Sequence, residues 1–216
     1  TDYQAWMWKR ARGYFDVVTY TGTGSARTIS HNLGVAPEMI WLKSRDSTEN
    51  WQVGADALTG TWTRILYLNL TSAESAENAV WWNNTAPTSS VFSIGTQDMN
   101  NKSGDNYIAF LFASITGISK IGSYTGDGTT DGSKVIDCGF APKFILIKKV
   151  INGSSNWRVY DTTRGIPAGG DPVLLFNQTD AQSSTADSID TTSSGFTVID
   201  GNTNANTDGY LFYAIA

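Results

Sequence analysis

The 216-residue chain carries a single histidine, His31, and a single cysteine, Cys138. A triad built on imidazole has one candidate base, and a zinc site of the His/Cys kind lacks the ligands it needs. Carboxylates could serve a glycosidase, which sets two of them across a cleft. The acids Asp16, Asp46, Glu49, Asp56, Glu74, Glu77, Asp98 and Asp105 stand apart and show no pairing in sequence. The runs Asp127-Gly128-Thr129-Thr130-Asp131-Gly132 and Asp200-Gly201-Asn202-Thr203-Asn204 have the oxygen-rich look of calcium loops. Neither has the full ligand spacing, and turns prefer the same residue types, so both are read as turns. No catalytic residue, metal site or cofactor is expected.

Recognition is the chemistry that remains. Trp81 and Trp82 are adjacent and run into Asn83-Asn84-Thr85. Neighbours in a strand face opposite ways, so both indoles cannot enter one core face. One is therefore expected to be exposed or to lie at a domain or subunit contact. An indole beside amides suits a sugar ring, whose apolar face stacks while its hydroxyls find partners. It suits a protein hot spot equally, or plain packing. Trp62, Trp81, Trp82, Asn83 and Asn84 are the candidate carbohydrate or receptor contacts.

The elements that must position these residues are written twice. Tyr20-Thr21-Gly22-Thr23-Gly24 returns as Tyr124-Thr125-Gly126-Asp127-Gly128, and Gly34-Val35-Ala36-Pro37 as Gly139-Phe140-Ala141-Pro142. Asn50-Trp51-Gln52-Val53 matches Asn156-Trp157-Arg158-Val159, and Leu66-Tyr67-Leu68-Asn69 matches Leu174-Leu175-Phe176-Asn177. The closing run Tyr107–Phe112 returns as Tyr210–Ile215, and stands once more at the front as Tyr3–Trp8. A period of about 104 residues is far longer than a solenoid repeat, so each copy is a whole domain. The expected division is 1–11 (closing strand of a preceding domain, and linker), 12–114 and 115–216. Trp51 and Trp157 recur and are expected to be equivalent core residues, whereas copy two has no counterpart of Trp62, Trp81 and Trp82. Cys138 takes the place of Leu33, as a small buried hydrophobe would.

Short β-rich runs separated by Gly, Asn and Asp turns recur through both copies, the first copy giving 14–20, 26–30, 38–43, 50–54, 64–70, 79–82, 90–94 and 107–112. Seven or eight strands in about a hundred residues predict an all-β chain of two tandem antiparallel β-sandwich, jelly-roll-like domains. Only 71–80 and 179–186 hint at helix. Tyr107–Phe112 is apolar on both faces, so that strand is expected to be central and covered on both sides. The link at 113–118 is short and partly apolar, which predicts domains packed on each other.

Fifteen basic against twenty acidic side chains give a mildly acidic balance that repels phosphates and anionic lipid. Nucleic acid is not an expected partner. Neither is membrane insertion, since no run of about twenty apolar residues exists. The lone basic cluster, Lys9, Arg10 and Arg12, reads as a solvated linker.

The series Trp6-Met7-Trp8-Lys9-Arg10-Ala11, Tyr14-Phe15-Asp16-Val17-Val18, Tyr20–Gly24 and His31-Asn32-Leu33-Gly34-Val35-Ala36-Pro37, with Trp82-Asn83-Asn84-Thr85-Ala86-Pro87, carries a resemblance. It resembles a repeat of tail-fibre and other virion proteins of tailed bacteriophages, marine ones especially, often found after a concanavalin-like lectin domain. The resemblance implies a virion location, assembly in the host cytoplasm, other virion proteins as partners, and self-association, usually as a homotrimer. It also implies contact of a distal fibre domain with bacterial surface glycan, and it supplies no catalytic set. The leading strand then reads as the end of a preceding domain, and Ala216 as the end of a fibre subunit. A purely structural module, a fibre spacer or capsid decoration, is the alternative. A polysaccharide depolymerase is a more distant one.

Overall fold

The computed structural model describes residues 4–76, 78–166, 169–184 and 186–216. The first domain holds β1 (Phe15–Thr21), β2 (Arg27–Ser30), β3 (Met39–Ser44), β4 (Gln52–Ala55), β5 (Arg64–Tyr67), β6 (Ser75–Ala76), β7 (Val91–Ile94) and β8 (Asn106–Phe112). One helical turn, α1 (Asp98–Asn101), precedes β8. The second domain holds β9 (Ser119–Thr125), β10 (Val135–Asp137), β11 (Phe144–Lys149), β12 (Arg158–Asp161), β13 (Leu174–Leu175), β14 (Ile189–Thr191), β15 (Gly195–Val198) and β16 (Gly209–Ile215).

All pairings are antiparallel. The large sheet of the first domain runs β1-β8-β3-β4-β5-β6, and that of the second runs β9-β16-β11-β12-β13. Each is faced by a small sheet, β2-β7 in one and β10-β15-β14 in the other. The fold is the expected all-β sandwich, and the repeats correspond strand for strand from β1/β9 to β8/β16 except at β6, which extends the large sheet beside β5, and β14, which joins the small sheet beside β15.

Strand alternation decides where the cores sit. Tyr107, Ala109 and Leu111 of β8 point toward Ile29, Phe92 and Ile94 of the small sheet. Tyr210, Phe212 and Ala214 of β16 do the same against Ile136, Phe196 and Val198. The alternate residues (Met39, Trp41 and Phe112; Phe144, Leu146, Leu211 and Tyr213) turn the other way into a third core that both domains share. Each large sheet is thus apolar on both faces, one packed on its small sheet and the other turned toward the shared core.

Matched turns hold the copies in the same shape. The Asn101 side chain accepts from Thr23 N and donates to Ser25 O and Gly95 O. Asn204 accepts from Asp127 N and donates to Thr129 O. A Cβ on Gly22 would stand 2.1 Å from Lys102 O, and one on Gly126 2.0 Å from Ala205 O, so the glycine of each turn is fixed by close backbone approach. The tyrosine before each turn stacks on the first tyrosine of the closing strand (Tyr20 on Tyr107 at 5.1 Å, Tyr124 on Tyr210 at 4.9 Å).

Three expectations are corrected. Residues 4–8 form no strand (Tyr3 lies outside the described residues), because no neighbouring strand offers them a hydrogen-bond ladder. Trp6 and Trp8 nonetheless share a face, and both indoles pack on Phe144 at the domain junction. The run 79–82 is a 3₁₀ turn leading into an irregular turn, where copy two forms β14 nearby. The helix hints at 71–80 and 179–186 produce only that single 3₁₀ turn, Asn78–Val80, among the described residues; Thr185 and Glu77 lie outside them.

Candidate functional site

All three candidate tryptophans lie in the interior of the first domain. Trp62 is 2%, Trp81 3% and Trp82 1% exposed, so none can meet a sugar or a receptor in the folded chain. The alternation argument fails because Trp81 and Trp82 stand in a turn, not a strand. Both reach inward, and the Trp62 and Trp82 rings meet edge-to-face at 5.5 Å. Their room comes from Gly54 of β4, where a Cβ would stand 2.5 Å from the Trp82 ring and 2.8 Å from that of Trp62. Gly54 pairs with Ile40, and its counterpart pairing with Ile145 is the fully buried Tyr160. Copy two fills with one tyrosine the volume that copy one fills with two indoles over a glycine. The exchange accounts for Trp62 and Trp82; Trp81 packs instead on Tyr67 at 6.1 Å. Asn83 and Asn84 are exposed, and both adopt left-handed backbone (φ 52° and 47°), which asparagine tolerates better than most residues.

The histidine, the cysteine and most of the candidate acids are engaged in structure. His31 is buried; its Nδ1 accepts from Leu33 N and its Nε2 lies 3.2 Å from Thr88 O, and burial holds its pKa below the usual value. The neutral ring thus closes the loop before the shared glycine. Burial pushes the Cys138 thiol up to about 12, leaving it a thiol in the core. Asp16 accepts from Asn32 N, Asp46 from Asn106 N, Asp56 from the Trp62 indole and Glu74 from Thr59 N. Asp127 accepts from the backbone and hydroxyl of Thr129, which pull its carboxyl well below the usual range. Asp200 accepts from Asn202 N and Thr203 N. Both oxygen-rich runs are therefore side-chain-capped turns. Among the described residues no three of His, Cys, Asp and Glu gather as a metal site.

The feature that sequence reasoning missed is an open apolar cleft of about 450 Å³ on the outer face of the first large sheet, lined by Trp8, Phe15, Val17, Trp41, Trp51, Leu68, Phe110 and Phe112. Trp51 is held as its repeat is: its N donates to Asn69 Oδ1 at 2.9 Å, and Asn69 donates to Asn50 at 2.8 Å. In copy two Trp157 N donates to Asn177 Oδ1 at 2.8 Å, and Asn177 donates to Asn156 at 2.8 Å. This clip is the physical content of the repeated Asn-Trp motif. The outcomes differ all the same. Trp157 is 0% exposed beneath the first domain, with its Nε1 donating to Tyr67 O at 2.9 Å. Trp51 is half-buried, stacked on Phe110 at 6.0 Å, with its far side open. The expected equivalence of the two tryptophans holds for backbone and clip and fails for burial, because no domain covers the first sheet at that point.

Residues 2–216 match the family described as Domain of unknown function (DUF7483), and the chain belongs to that family. No curated protein and no solved structure matches it.

Proposed function

We propose that this chain is a non-enzymatic structural module of a tailed-bacteriophage fibre or appendage. The virion setting rests on the resemblance in the turn and strand motifs. The observation that carries the structural role is the shared core, in which Trp157 and Leu66 are completely buried between the two domains. Lys148 bridges the joint, donating to Thr71 O of the first domain at 2.9 Å and to Ser155 O of its own loop at 2.7 Å. Two sandwiches fused through a continuous apolar layer move as one body, as a spacer in a fibre must.

Attachment to a host glycan is the second reading, and it now rests on Asn83 and Asn84 alone. Burial of Trp62, Trp81 and Trp82 removes its stacking platform. The cleft at Trp51 is a poor substitute, since a sugar needs several polar partners for its hydroxyls and the lining side chains offer indole N–H groups alone.

Immunogold labelling of purified phage particles with antibody to this chain tests the setting; label on a tail appendage is expected, and unlabelled particles overturn it. Adsorption in the presence of excess isolated chain tests the role. Unchanged adsorption is expected for a structural module, and competition by the chain would assign it to attachment.

A further inference from the structure

The interface inside the chain supplies a template for one outside it. The second domain's sheet face is covered by a ridge of the first domain, Leu66 to Glu74. The ridge places Leu66 in the shared core and presents two carbonyls: Tyr67 O to the Trp157 indole, and Thr71 O to Lys148 Nζ and Ser155 N. The first domain carries the same socket uncovered. Trp51 at its centre is half-buried, with one ring face on Phe110 and the other toward the cleft. Lys43, the counterpart of Lys148, is half-exposed and donates only to Ser44 O and Ser47 O of its own loop.

The second domain also carries the ridge, as Leu174-Leu175-Phe176-Asn177-Gln178-Thr179. It begins in β13, the last strand of its sheet, which pairs with β12 and is preceded by a single bridge between Val173 and Ser183. Leu174 is half-exposed where its counterpart Leu66 is fully buried, and 178–184 are exposed. One chain therefore holds an open socket in its first domain and, in its second, a ridge whose Phe176 rests on Trp6 and Trp41 while Leu174 and the segment from 178 stay accessible, and the pair is matched by the contact already formed between its two halves.

We propose that the cleft at Trp51 is the docking site for a second copy of this chain, which inserts the Leu174–Thr179 ridge of its second domain as Leu66–Thr71 inserts over Trp157. The incoming Leu175 O accepts from the Trp51 indole, and Thr179 O accepts from Lys43. Such a contact is head-to-tail: repeated, it closes into a ring or extends into a filament. A glycan, another virion protein or a domain on the same chain are the other occupants the cleft could take. The proposal stands independently of the virion setting.

Mass measured by sedimentation over a concentration series tests it, using the full chain and two variants at half-buried positions, Trp51→Glu (socket blocked) and Leu174→Glu (ridge blocked). The unaltered chain is expected to exceed monomer mass as concentration rises. Each variant alone should remain monomeric, and an equimolar mixture of the two should form a heterodimer that grows no further, because each partner has one intact surface. In a Cys138→Ser background, chains carrying Lys43→Cys and Thr179→Cys should cross-link with each other and not with themselves, which secures the result if a charged variant misfolds. An unaltered chain that stays monomeric throughout overturns the proposal, as does a mixture that stays monomeric while each variant is folded, or cross-linking of either cysteine chain with itself.

Discussion

Trp51 and Trp157 occupy one position of one fold, held by the same asparagine clip, and meet different fates. The indole in the second domain is sealed under the Tyr67 ridge; the one in the first looks into an open cleft. The surrounding residues follow the same division. Ile121, Leu211 and Tyr213 are buried, whereas their counterparts Val17, Ile108 and Phe110 are only partly so. A domain's sequence dictates its own sandwich, but the fate of its outer face depends on what is laid against it. An apolar face left uncovered on one copy and covered on the other marks an unfilled contact, not a different fold.

The largest expected effect breaks the comparison directly. Trp157→Ala removes a fully buried indole and its bond to Tyr67 O, and should lower unfolding free energy by about 3–5 kcal/mol. Trp51→Ala, measured in the same denaturant series on dilute protein, should cost less than about 1 kcal/mol. Equal losses would mean that the two faces are covered alike.

Next comes the lysine of the joint. Burial, with the Lys149 charge second, pulls the pKa of Lys148 down to about 8. A lysine lowered in the folded state holds fewer protons there than in the unfolded chain across the window from about 8 to its ordinary value near 10.5. Stability therefore rises with pH through that window. The penalty of the buried charge is complete below it and gone above it, an effect of about 3 kcal/mol. Unfolding free energy of the unaltered chain should climb relative to Lys148→Met between those pH values; parallel profiles would contradict the assignment.

Third, Gly54→Ala should cost about 1–3 kcal/mol, because its Cβ collides with the Trp62 and Trp82 rings. Adding Trp82→Phe should recover part of that loss, and strict additivity would refute the exchange of volume between Gly54 and the indoles. The smallest effect concerns the exposed turn: Asn83→Gly with Asn84→Gly keeps the left-handed backbone and should change stability by no more than about 0.5 kcal/mol. Calorimetry reads that outcome, and a large loss would mean that the two amides are structural.

Much of this was legible in the residues. The repeated turns located the equivalent strands, the doubly apolar Tyr107–Phe112 run announced a strand covered on both sides, and Cys138 in the place of Leu33 announced a core thiol. The candidate site was not legible, for two physical reasons. Strand alternation says nothing about Trp81 and Trp82 once the chain leaves the strand, and the volume that Trp82 shares with Trp62 is created by Gly54, which lies about thirty residues from Trp82 in sequence and is signalled only by a missing side chain. The difference between Trp51 and Trp157 has no local signature at all. It arises from how one sheet is placed over the other, which is a property of the pair.

Fluorine NMR on chain labelled with 5-fluorotryptophan, with Trp51→Phe and Trp157→Phe assigning the two signals, reads that placement without altering the joint. At low concentration the Trp51 signal should respond to a soluble paramagnetic agent and the Trp157 signal should not, with Trp51 becoming shielded as concentration rises. A Trp51 signal already shielded in the dilute monomer, or a Trp157 signal that the agent reaches, would contradict the account.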